Sequence, residues 1–547
     1  MTFSPKAPSP ANATNYTVGK ECLSTRWTTL FSAAVIVLFI AARLWRLSAT
    51  CLWFDEIFSV HAARHSWANM MHFVAADIIH PPLFYALLKV WVSLGGESLL
   101  WLRLFPALIS IATIVPFLLL CRELKLNSGE ITLALLLMAV NGYLIKYAQE
   151  LRMYSLLLFL SLCSLWLFVK FLNTEGNFRK HLLALFAVNL LLGYTHYAGW
   201  LVVVLQAVAL VVWRPRKLSS FLLASGALCL AYMPWIYAVA TAKEPGKGLG
   251  QNIGWVSRPH LSDVVQYFTL LNKPFLFRQS TGESTFDPLS TLLAVVLFGL
   301  PLVLFSRRIF KREHDEERTS GEATRALFLF CFAPALFIFL LSWILPYSTW
   351  GTRHLIIAAG PYSILAAISL RSLQPYWIRI SVFLVLWCWF LLAGTLFVVI
   401  RPSPFIWCAW EQLARQVMVV ESGAAEVVPV YAYEDLVAYH LWFALDPARN
   451  ARFKVNLVKG LPGVVNDPAY FLPRSFNDVA IVDGPVLEGR HLWIAFRTSQ
   501  KGEKWDETSP PLNLAKGMGY QVGRVFSTKS QGQEAFLVEL RRTAPPL

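Results

Sequence analysis

The sequence predicts a polytopic α-helical membrane protein of about eleven spans, with a helical first outer loop and a C-terminal soluble α/β domain. Of its 547 residues, 56% are hydrophobic and only 15% are charged, whereas soluble domains carry roughly 25% charged residues. Apolar runs of about 18 residues recur, and each is long enough to cross a hydrocarbon core of ~30 Å. After Arg401 charges become more frequent, and short strand-like runs replace the long apolar ones.

The apolar runs predict eleven spanning helices. No small-residue cleavage pattern follows the first run, so we expect an uncleaved span and not a signal peptide. The fifth and sixth runs are short and meet at Thr195-His196-Tyr197, which predicts a tight hairpin. The predicted spans are Trp27–Ala42, Leu102–Cys121, Ile131–Tyr147, Tyr154–Phe171, Leu182–His196, Trp200–Trp213, Phe221–Ala240, Leu289–Phe305, Ala326–Pro346, Leu355–Leu370 and Ile378–Ile400.

The connections rich in Lys and Arg all fall on one side of this arrangement, and the positive-inside rule makes that side cytoplasmic. We therefore expect a multi-pass protein of the cytoplasmic (plasma or inner) membrane, with its N-terminus inside and its C-terminus outside. The predicted cytoplasmic cations are Arg122, Lys125, Lys170, Arg179, Lys180, Arg214, Arg216, Lys217, Arg307, Arg308, Lys311, Arg312, Arg371 and Arg379. These loops account for the net charge of +15, from 48 basic and 33 acidic residues, so the charge does not indicate a nucleic-acid partner.

The predicted spans divide the chain into a tail (1–26), a transmembrane domain (27–400) and an α/β domain (401–547). Because the number of spans is odd, a cytoplasmic tail implies an extracytoplasmic α/β domain. The sequons at Asn12 and Asn15 lie in the tail, and the loop Lys243–Pro288 is expected outside. The first outer loop, 47–101, mixes charged and aromatic residues, which predicts amphipathic helices lying on the outer leaflet. In the last domain, strands are predicted at Val427–Tyr433, Phe453–Val458, Val479–Val482, Leu492–Phe496 and Ala535–Glu539, with a helix at Glu434–Leu445.

The eight cysteines are scattered, mostly within apolar runs, and none forms a Cys-x-x-Cys pair. This spacing predicts neither a disulfide framework nor a zinc site.

Adjacent carboxylates at Asp55 and Glu56 follow the first span. Carboxylates at a membrane edge are candidate functional residues because they are costly to place there. Neighbouring helical residues point in different directions, so one carboxylate can act while the other supports it. Asp55 is a candidate general base for an acceptor hydroxyl. The alternative is a solvated pair that caps an interfacial helix.

The segment Asp77-Ile78-Ile79-His80-Pro81-Pro82 precedes an apolar helix that includes Tyr85. Proline suits a helical first turn, and the free N–H groups of such a turn attract anions. His80 would then stand beside a phosphate. The alternative is a helix started by proline and capped by His80.

Gln149, Glu150, Arg152 and Tyr154 open the fourth span on the predicted outer side. On a continuous helix, Glu150 and Tyr154 would share one face, and Gln149 and Arg152 another. The Arg152 guanidinium is a candidate phosphate ligand, although an arginine at this depth also reaches water by extending along the helix.

His196 and Tyr197 close the fifth span, and Arg353 lies between spans nine and ten, again on the outer side. A single histidine at a membrane edge is more often a polar anchor than a catalyst. Together, however, five edge segments carry both carboxylates and cations at one interface, whereas a pump would place such groups at mid-span. We expect these segments to converge on one site.

Five ordered motifs resemble the GT-C glycosyltransferases, most closely the bacterial family 39-like members, which are similar to dolichyl-phosphate-mannose-protein mannosyltransferases. The motifs are Leu52-Trp53-Phe54-Asp55-Glu56, His80-Pro81-Pro82-Leu83-Phe84-Tyr85, Arg103-Leu104-Phe105-Pro106, Tyr147-Ala148-Gln149-Glu150-Leu151-Arg152-Met153-Tyr154 and Tyr194-Thr195-His196-Tyr197. The resemblance covers about Trp27 to Tyr197, and later spans match only in hydropathy and through Arg353. Where the related lipid A aminoarabinose transferases have a lysine, this chain has His80.

The resemblance implies inverting transfer of a sugar, a hexose or a pentose, from a polyprenyl-phosphate donor on the outer face of the cytoplasmic membrane. It implies catalysis by Asp55 with Glu56 beside it. The donor phosphate would be held by His80, Arg152 and Arg353. The remaining candidates for substrate binding are Asp77, Tyr85, Gln149, Glu150, Tyr154, His196 and Tyr197.

The expected partners are membrane lipid, the polyprenyl-phosphate sugar, and an envelope acceptor such as a glycan, glycolipid or lipopolysaccharide. A protein acceptor is the nearest rival, and a transporter or flippase of lipid-linked sugars is the rival from another class. A third alternative is an assembly partner with a degenerate site. A divalent cation, Mg²⁺ or Mn²⁺, held by Asp55, Glu56, Asp77 and His80 remains an open expectation.

Overall fold

The computed structural model describes residues 29–242, 253–254, 256–275, 287–311, 318–400, 406–423, 426–446, 452–459, 472–474, 476–483, 487–498, 509–530 and 532–542. The predicted cytoplasmic tail with Asn12 and Asn15, and most of the loop Lys243–Pro288, lie outside these residues.

Helices dominate the described part of the chain. They are α1 Thr29–Leu44, α2 Phe54–Arg64, α3 Trp67–Asp77, α4 Leu83–Gly95, α5 Leu99–Ala112, α6 Ile114–Glu123, α7 Ser128–Val140, α8 Gly142–Ala148, α9 Tyr154–Asn173, α10 Arg179–Thr195, α11 Ala198–Trp213, α12 Pro215–Ala242, α13 Leu261–Asn272, α14 Pro288–Ala294, α15 Leu300–Lys311, α16 Arg318–Ile344, α17 Ala359–Arg371, α18 Tyr376–Val399, α19 Ala409–Val420, α20 Asp435–Leu445 and α21 Pro510–Gly517. A π-helical turn, Val295–Gly299, joins α14 to α15, and a 3₁₀ turn, Thr352–Ala358, leads into α17.

A helix lies at each of the eleven predicted spans, and seven described helical segments are long and apolar enough to cross a membrane. Two of these segments, Tyr154–Asn173 and Thr352–Arg371, are the most deeply buried of the seven. By contrast, α12 and α18 expose most of their apolar surface, as expected for helices that face lipid. The two central segments therefore form the middle of the bundle, and each begins next to a predicted site arginine.

Two predicted helical stretches are interrupted. The predicted span Ile131–Tyr147 breaks at Asn141, whose side chain accepts a hydrogen bond from the Leu144 N–H at 2.8 Å and caps α8. The stretch Gln149–Met153 is not helical, because α8 ends at Ala148 and α9 begins at Tyr154. The prediction of shared helical faces for Gln149 with Arg152 and for Glu150 with Tyr154 is therefore wrong.

The predicted first outer loop, 47–101, folds into the helices α2, α3 and α4. Ser66 caps α3 by accepting a hydrogen bond from the Asn69 N–H. Ile78 adopts a left-handed conformation (φ 70°), which turns the chain sharply after α3. Pro82 is the N-cap of α4, so the proline pair marks the helix start that the sequence predicted. This turn places Asp77 and His80 at the same edge of the loop.

The C-terminal region contains a six-stranded mixed sheet with the order β3-β2-β1-β4-β6-β5. The first four strands in this order are parallel, and β6 pairs antiparallel with both β4 and β5. The strands are β1 Val428–Ala432, β2 Phe453–Lys459, β3 Ala480–Asp483, β4 His491–Arg497, β5 Gln521–Ser530 and β6 Gln533–Arg541. The helix α20 connects β1 to β2. All five predicted strands are present, whereas β5 was missed because it is an edge strand with mostly exposed, polar side chains.

A disulfide joins Cys51, just before α2, to Cys408, just before α19. The prediction of no disulfide is therefore wrong. The sequence held a usable signal, since these are the two cysteines that fall outside both the predicted tail and the predicted spans. The bond links the predicted first outer loop to the C-terminal region across 357 residues of chain.

Aromatic contacts also join these two regions. In α20, the Tyr439 hydroxyl lies 3.0 Å from Nδ1 of His61, and its ring centroid is 5.2 Å from that of Phe54. Arg474 donates a hydrogen bond to the Ala76 carbonyl at 2.9 Å. The C-terminal region thus packs directly on α2, the helix that carries Asp55.

Candidate active site

Asp55 lies in the first turn of α2, and its Oδ2 is 3.3 Å from Nη1 of Arg353. The two side chains retain 23% and 29% of their solvent exposure, so a ligand can reach both. Two hydroxyls from other elements fix the turn that carries Arg353: Tyr143 donates to the Thr352 carbonyl at 2.7 Å and Tyr267 to the Leu355 carbonyl at 2.9 Å. A carboxylate and a guanidinium are therefore held side by side at an accessible surface.

Glu56 points away from this surface and is fully buried. Its Oε2 lies 2.9 Å from Nη2 of Arg103 and accepts the Trp53 N–H at 3.2 Å, while its Oε1 accepts the Leu151 N–H at 2.8 Å. Both oxygens are thus occupied by the protein. Although Glu56 was predicted beside Asp55 as a catalytic residue, its contacts are those of a brace between α2, α5 and the bend before α9.

Arg152 forms the centre of a buried cluster behind Asp55. Its Nη1 donates to the Asp55 carbonyl at 3.1 Å, to Ser59 Oγ at 3.2 Å and to the Tyr85 hydroxyl at 3.3 Å. Its Nη2 lies 3.3 Å from Nδ1 of His80. Only 3% of Arg152 is exposed. The guanidinium therefore supplies a fixed positive charge that also positions the turn bearing Asp55.

His80 is buried and neutral. Burial, together with the adjacent positive charge of Arg152, lowers the pKa of His80 well below its ordinary value. Nη2 of Arg152 lies 3.3 Å from Nδ1 and 3.5 Å from Nε2 of His80. Because a guanidinium can only donate, the ring nitrogen that pairs with Arg152 accepts, and the neutral ring carries its one proton on the other nitrogen. His80 can thus offer one N–H to an anion, but no positive charge.

Asp77 ends α3 near His80, with 3.9 Å between its Oδ2 and the His80 Nδ1. Burial raises the pKa of Asp77 to about 6, although the charges of Arg152 and Arg474 oppose the shift. Asp77 is thus mostly ionised at pH 7, and it becomes half-protonated only near pH 6. Tyr197 supports this turn by donating its hydroxyl proton to the Ile78 carbonyl at 2.9 Å.

Gln149 and Glu150 occupy the bend between α8 and α9. The Gln149 amide donates to the carbonyls of Arg43 and Trp45 at 3.0 and 2.8 Å, so it ties the bend to the end of α1. Glu150 is buried, and its Oε1 pairs with no other described residue. Burial raises the pKa of Glu150 to about 7, against the opposing charge of Lys146.

Three imidazoles line the remaining side of the site. The ring of His196 lies 5.5 Å from that of His80 and 5.0 Å from that of His354. The His196 Nδ1 accepts the Ala198 N–H at 2.9 Å, so in the neutral ring the proton is on Nε2. Both this Nε2 and the hydroxyl of Tyr154 are buried and, like Oε1 of Glu150, find no hydrogen-bond partner among the described residues. Unpaired buried polar atoms cost roughly 1–3 kcal/mol each, so these groups favour a polar ligand.

The predicted candidates thus separate into two sets. The first set lies around Asp55 and Arg353 and consists of Asp77, His80, Tyr85, Glu150, Arg152, Tyr154 and His196. Glu56, Gln149 and Tyr197 instead hold the backbone of this site through the contacts described above. Sequence reasoning did not assign a role to Arg103, Ser59 or His354. Arg103 lies in one of the five sequence motifs, and its low exposure of 6%, next to the buried Glu56, reveals its partner.

The expected divalent-cation site does not fit the arrangement of these side chains. Both oxygens of Glu56 face Arg103 and backbone N–H groups, and His80 faces Arg152. Within the described residues, the one group of three potential ligands whose donor atoms lie within 4.8 Å of one another is Glu421, His491 and Glu539 in the C-terminal sheet region. Asp55, Glu56, Asp77 and His80 therefore do not converge on a common ion.

The arrangement of elements is similar to that of solved membrane proteins. The crystal structure of ArnT from Cupriavidus metallidurans bound to undecaprenyl phosphate matches with a TM-score of 0.57 and 14% identity, over 94% of this chain and 98% of that one. The apo structure of the same protein matches with a TM-score of 0.55, 14% identity and the same coverage.

The archaeal oligosaccharyltransferase AglB from Archaeoglobus fulgidus, in complex with an inhibitory peptide and a dolichol-phosphate, matches with a TM-score of 0.48 and 13% identity over 77% of this chain. The chain spans 64% of the length of AglB. No protein-family model and no curated protein sequence matches this chain. The agreement with ArnT over nearly the full length of both chains identifies a multi-pass membrane protein with the GT-C glycosyltransferase fold, and it confirms the fold that the motifs predicted.

Proposed function

We propose that this protein is an inverting glycosyltransferase that moves a sugar from a polyprenyl-phosphate donor to an envelope acceptor on the outer face of the cytoplasmic membrane. The observation that carries the proposal is the accessible pair of Asp55 and Arg353, 3.3 Å apart, backed by the buried cation Arg152. ArnT, which has the same fold, binds undecaprenyl phosphate.

The chemistry needs a base on one side of the anomeric carbon and positive charge on the other. The acceptor hydroxyl oxygen attacks the anomeric carbon while the bond from that carbon to the phosphate oxygen breaks. The hydroxyl proton passes to the Asp55 carboxylate. The electron pair leaves with the polyprenyl phosphate, whose negative charge increases as the bond breaks. Arg353 and Arg152 stabilise that developing charge, and His80 adds a neutral N–H.

The contact between Asp55 and Arg353 suggests how the two functions are coupled. In the free protein each neutralises the other. A donor phosphate competes for the Arg353 guanidinium, which binds phosphate oxygens in a matching forked geometry. As Arg353 moves to the phosphate, the Asp55 carboxylate becomes free to accept a proton. Glu56 and Gln149 keep the surrounding backbone in place and do not touch the substrates.

The Cys51–Cys408 disulfide supports the outward orientation of the site. Disulfides persist in the periplasm and outside the cell and are rare in the cytosol. Cys51 lies four residues before Asp55, so the Cys51–Cys408 bond would place Asp55 and the start of the C-terminal region on the outer side. This agrees with the side assigned by the basic loops. The packing of α20 on α2 brings the C-terminal region close enough to contribute to acceptor binding.

The test is a reconstitution of the purified protein in proteoliposomes with radiolabelled undecaprenyl-phosphate sugars and a membrane extract as the acceptor source. We expect label in the extract and release of undecaprenyl phosphate, with Asp55→Asn reducing the rate at least 100-fold. Asp446→Asn is the matched control, because Asp446 is exposed to a similar extent and lies 3.7 Å from Arg64. Undiminished transfer by Asp55→Asn would overturn the assignment of the base.

The same assay separates the alternatives. Label that becomes soluble after protease treatment identifies a protein acceptor, whereas label that partitions with lipid or lipopolysaccharide identifies an envelope glycan or glycolipid. Movement of the labelled donor to the other leaflet without release of undecaprenyl phosphate would favour a flippase. Neither transfer nor movement, with the protein folded, would favour an assembly function.

A further inference from the structure

A groove on the membrane-facing side of the bundle is separate from the candidate active site. It has a volume of about 190 Å³ and lies between α1, α7, α17 and α18. Its walls are apolar and include Phe31, Leu136, Phe383 and Trp387, and the guanidinium-bearing Arg371 stands at one end. The proposed sugar transfer gives this groove no function.

The groove opens at the end of the bundle opposite Asp55. Arg353 and Arg371 mark the two ends of the helical segment Thr352–Arg371, which has 20 residues. At about 2.0 Å per residue in the 3₁₀ turn and 1.5 Å per residue in α17, this segment is roughly 30–35 Å long, which is enough to cross the hydrocarbon core. Arg371 therefore lies at the membrane boundary on the other side from Arg353.

Arg371 fits at the mouth of the groove because the residue of α7 that faces it, Gly129, has no side chain. A Cβ atom at Gly129 would overlap the Arg371 guanidinium, so the glycine lets the cation lie flat against the helix. Among the carboxylates that the structure describes, none lies within 4.0 Å of this guanidinium. Within the described part of the chain, the charge of Arg371 is thus not neutralised by a carboxylate.

Two more arginines surround the same turn. Arg379 donates to the Arg371 carbonyl at 3.0 Å, and Arg308 donates to the Ser372 carbonyl at 2.9 Å. Positive charge is therefore concentrated where the apolar groove meets the aqueous boundary. From Phe383 to Phe390 the groove follows about two turns of α18, or ~10 Å along the helix.

We propose that this groove binds an anionic glycerophospholipid of the leaflet opposite the active site, with its phosphate on Arg371 and an acyl chain along α18. The shape and the charge both match such a lipid, which carries a phosphate directly above an apolar chain. Basic pockets between spanning helices on the cytoplasmic side are suited to anionic head groups. A soluble phosphate would use the arginine alone and leave the apolar walls unoccupied.

The experiment is native mass spectrometry of the full chain, purified in detergent and mixed with equimolar phosphatidylglycerol and phosphatidylcholine. We expect the wild type to retain phosphatidylglycerol in preference to phosphatidylcholine. Arg371→Gln should lower phosphatidylglycerol retention at least fivefold and remove the preference. The control is Arg216→Gln, which removes an exposed arginine on the same predicted side but away from the groove. Inorganic phosphate at millimolar concentration should not displace the lipid.

A second variant tests the apolar walls separately from the head-group contact. Trp387 is 40% exposed, so its replacement should not prevent folding. Trp387→Ala should weaken retention of both lipids while keeping the preference for phosphatidylglycerol. Equal retention of the two lipids by the wild type, or unchanged phosphatidylglycerol retention by Arg371→Gln, would overturn the proposal. A dimer that dissociates in Arg371→Gln would also overturn it, because a second copy of the chain would then occupy the groove.

Discussion

The Oε2 atom of Glu56 lies 2.9 Å from Nη2 of Arg103, and both side chains are almost completely buried. This ion pair fixes the first turn of α2 against α5. The turn also carries Asp55, so the accessible carboxylate depends on the buried one beside it. The two adjacent acidic residues of the sequence therefore have different physical functions.

Replacing Glu56 by Gln should destabilise the protein by about 3–5 kcal/mol, because the buried Arg103 charge loses its partner. Thermal unfolding in detergent measures this change. Glu97→Gln is the control, since it breaks the more exposed pair with Arg64 and should cost about 1 kcal/mol or less. Equal melting temperatures for the two variants would show that the Glu56 pair does not brace the turn.

Replacing Arg353 by Gln should lower kcat about 10²–10³-fold, because the phosphate leaving group loses one of its stabilising charges. The KM for the polyprenyl-phosphate sugar should rise as well, and Arg353→Lys should recover part of the loss because it restores the charge but not the forked geometry. Arg258→Gln removes another exposed arginine of the predicted outer side and should leave both constants unchanged. Normal kinetics in Arg353→Gln would remove Arg353 from the mechanism.

The Cys51–Cys408 bond should be present in the protein isolated from membranes under non-reducing conditions. Under denaturing conditions, reduction should allow two additional cysteines of the wild type to react with a maleimide polymer. Reduction should add none in Cys51→Ser or Cys408→Ser. Each variant should lose about 2–5 kcal/mol of stability, and the double variant no more than either single one, because all three lack the same cross-link. Additive losses would contradict a bond between these two residues.

Glu150 should make the protein less stable as the pH rises from about 4.5 to about 7. Its pKa is raised from 4.5 to about 7 in the folded chain. The folded state therefore keeps a proton that the unfolded state releases, and folding becomes less favourable until the pH exceeds 7. In Glu150→Gln this penalty is absent. The melting temperature of the variant, relative to that of the wild type, should therefore rise between pH 5 and pH 8. The exposed Glu426→Gln should keep the wild-type dependence. Parallel melting curves for Glu150→Gln and the wild type would show that burial does not raise this pKa.

The sequence by itself predicted the elements whose signals are local. Runs of apolar residues predicted eleven segments, at each of which the structure has a helix, and β-branched and aromatic runs located five of the six described strands, because the environment of each segment dictates its hydrophobic pattern. The strand β5 was missed since an exposed edge strand needs no such pattern. The motif clusters at helix ends also predicted that Asp55, His80, Arg152 and Arg353 would meet at one end of the bundle.

The tertiary structure alone decided which atoms face one another. Asp55 and Arg353 are 298 positions apart in the chain, and Cys51 and Cys408 are 357 apart. No local pattern encodes such pairs, since side-chain partners are fixed by the packing of helices that are distant in sequence. The same packing turned Glu56 inward to Arg103 and broke the helix at Gln149, where the segment was predicted to be regular. Thus local hydrophobicity determined the architecture, whereas long-range packing determined which of the candidate residues reach the accessible surface of the site.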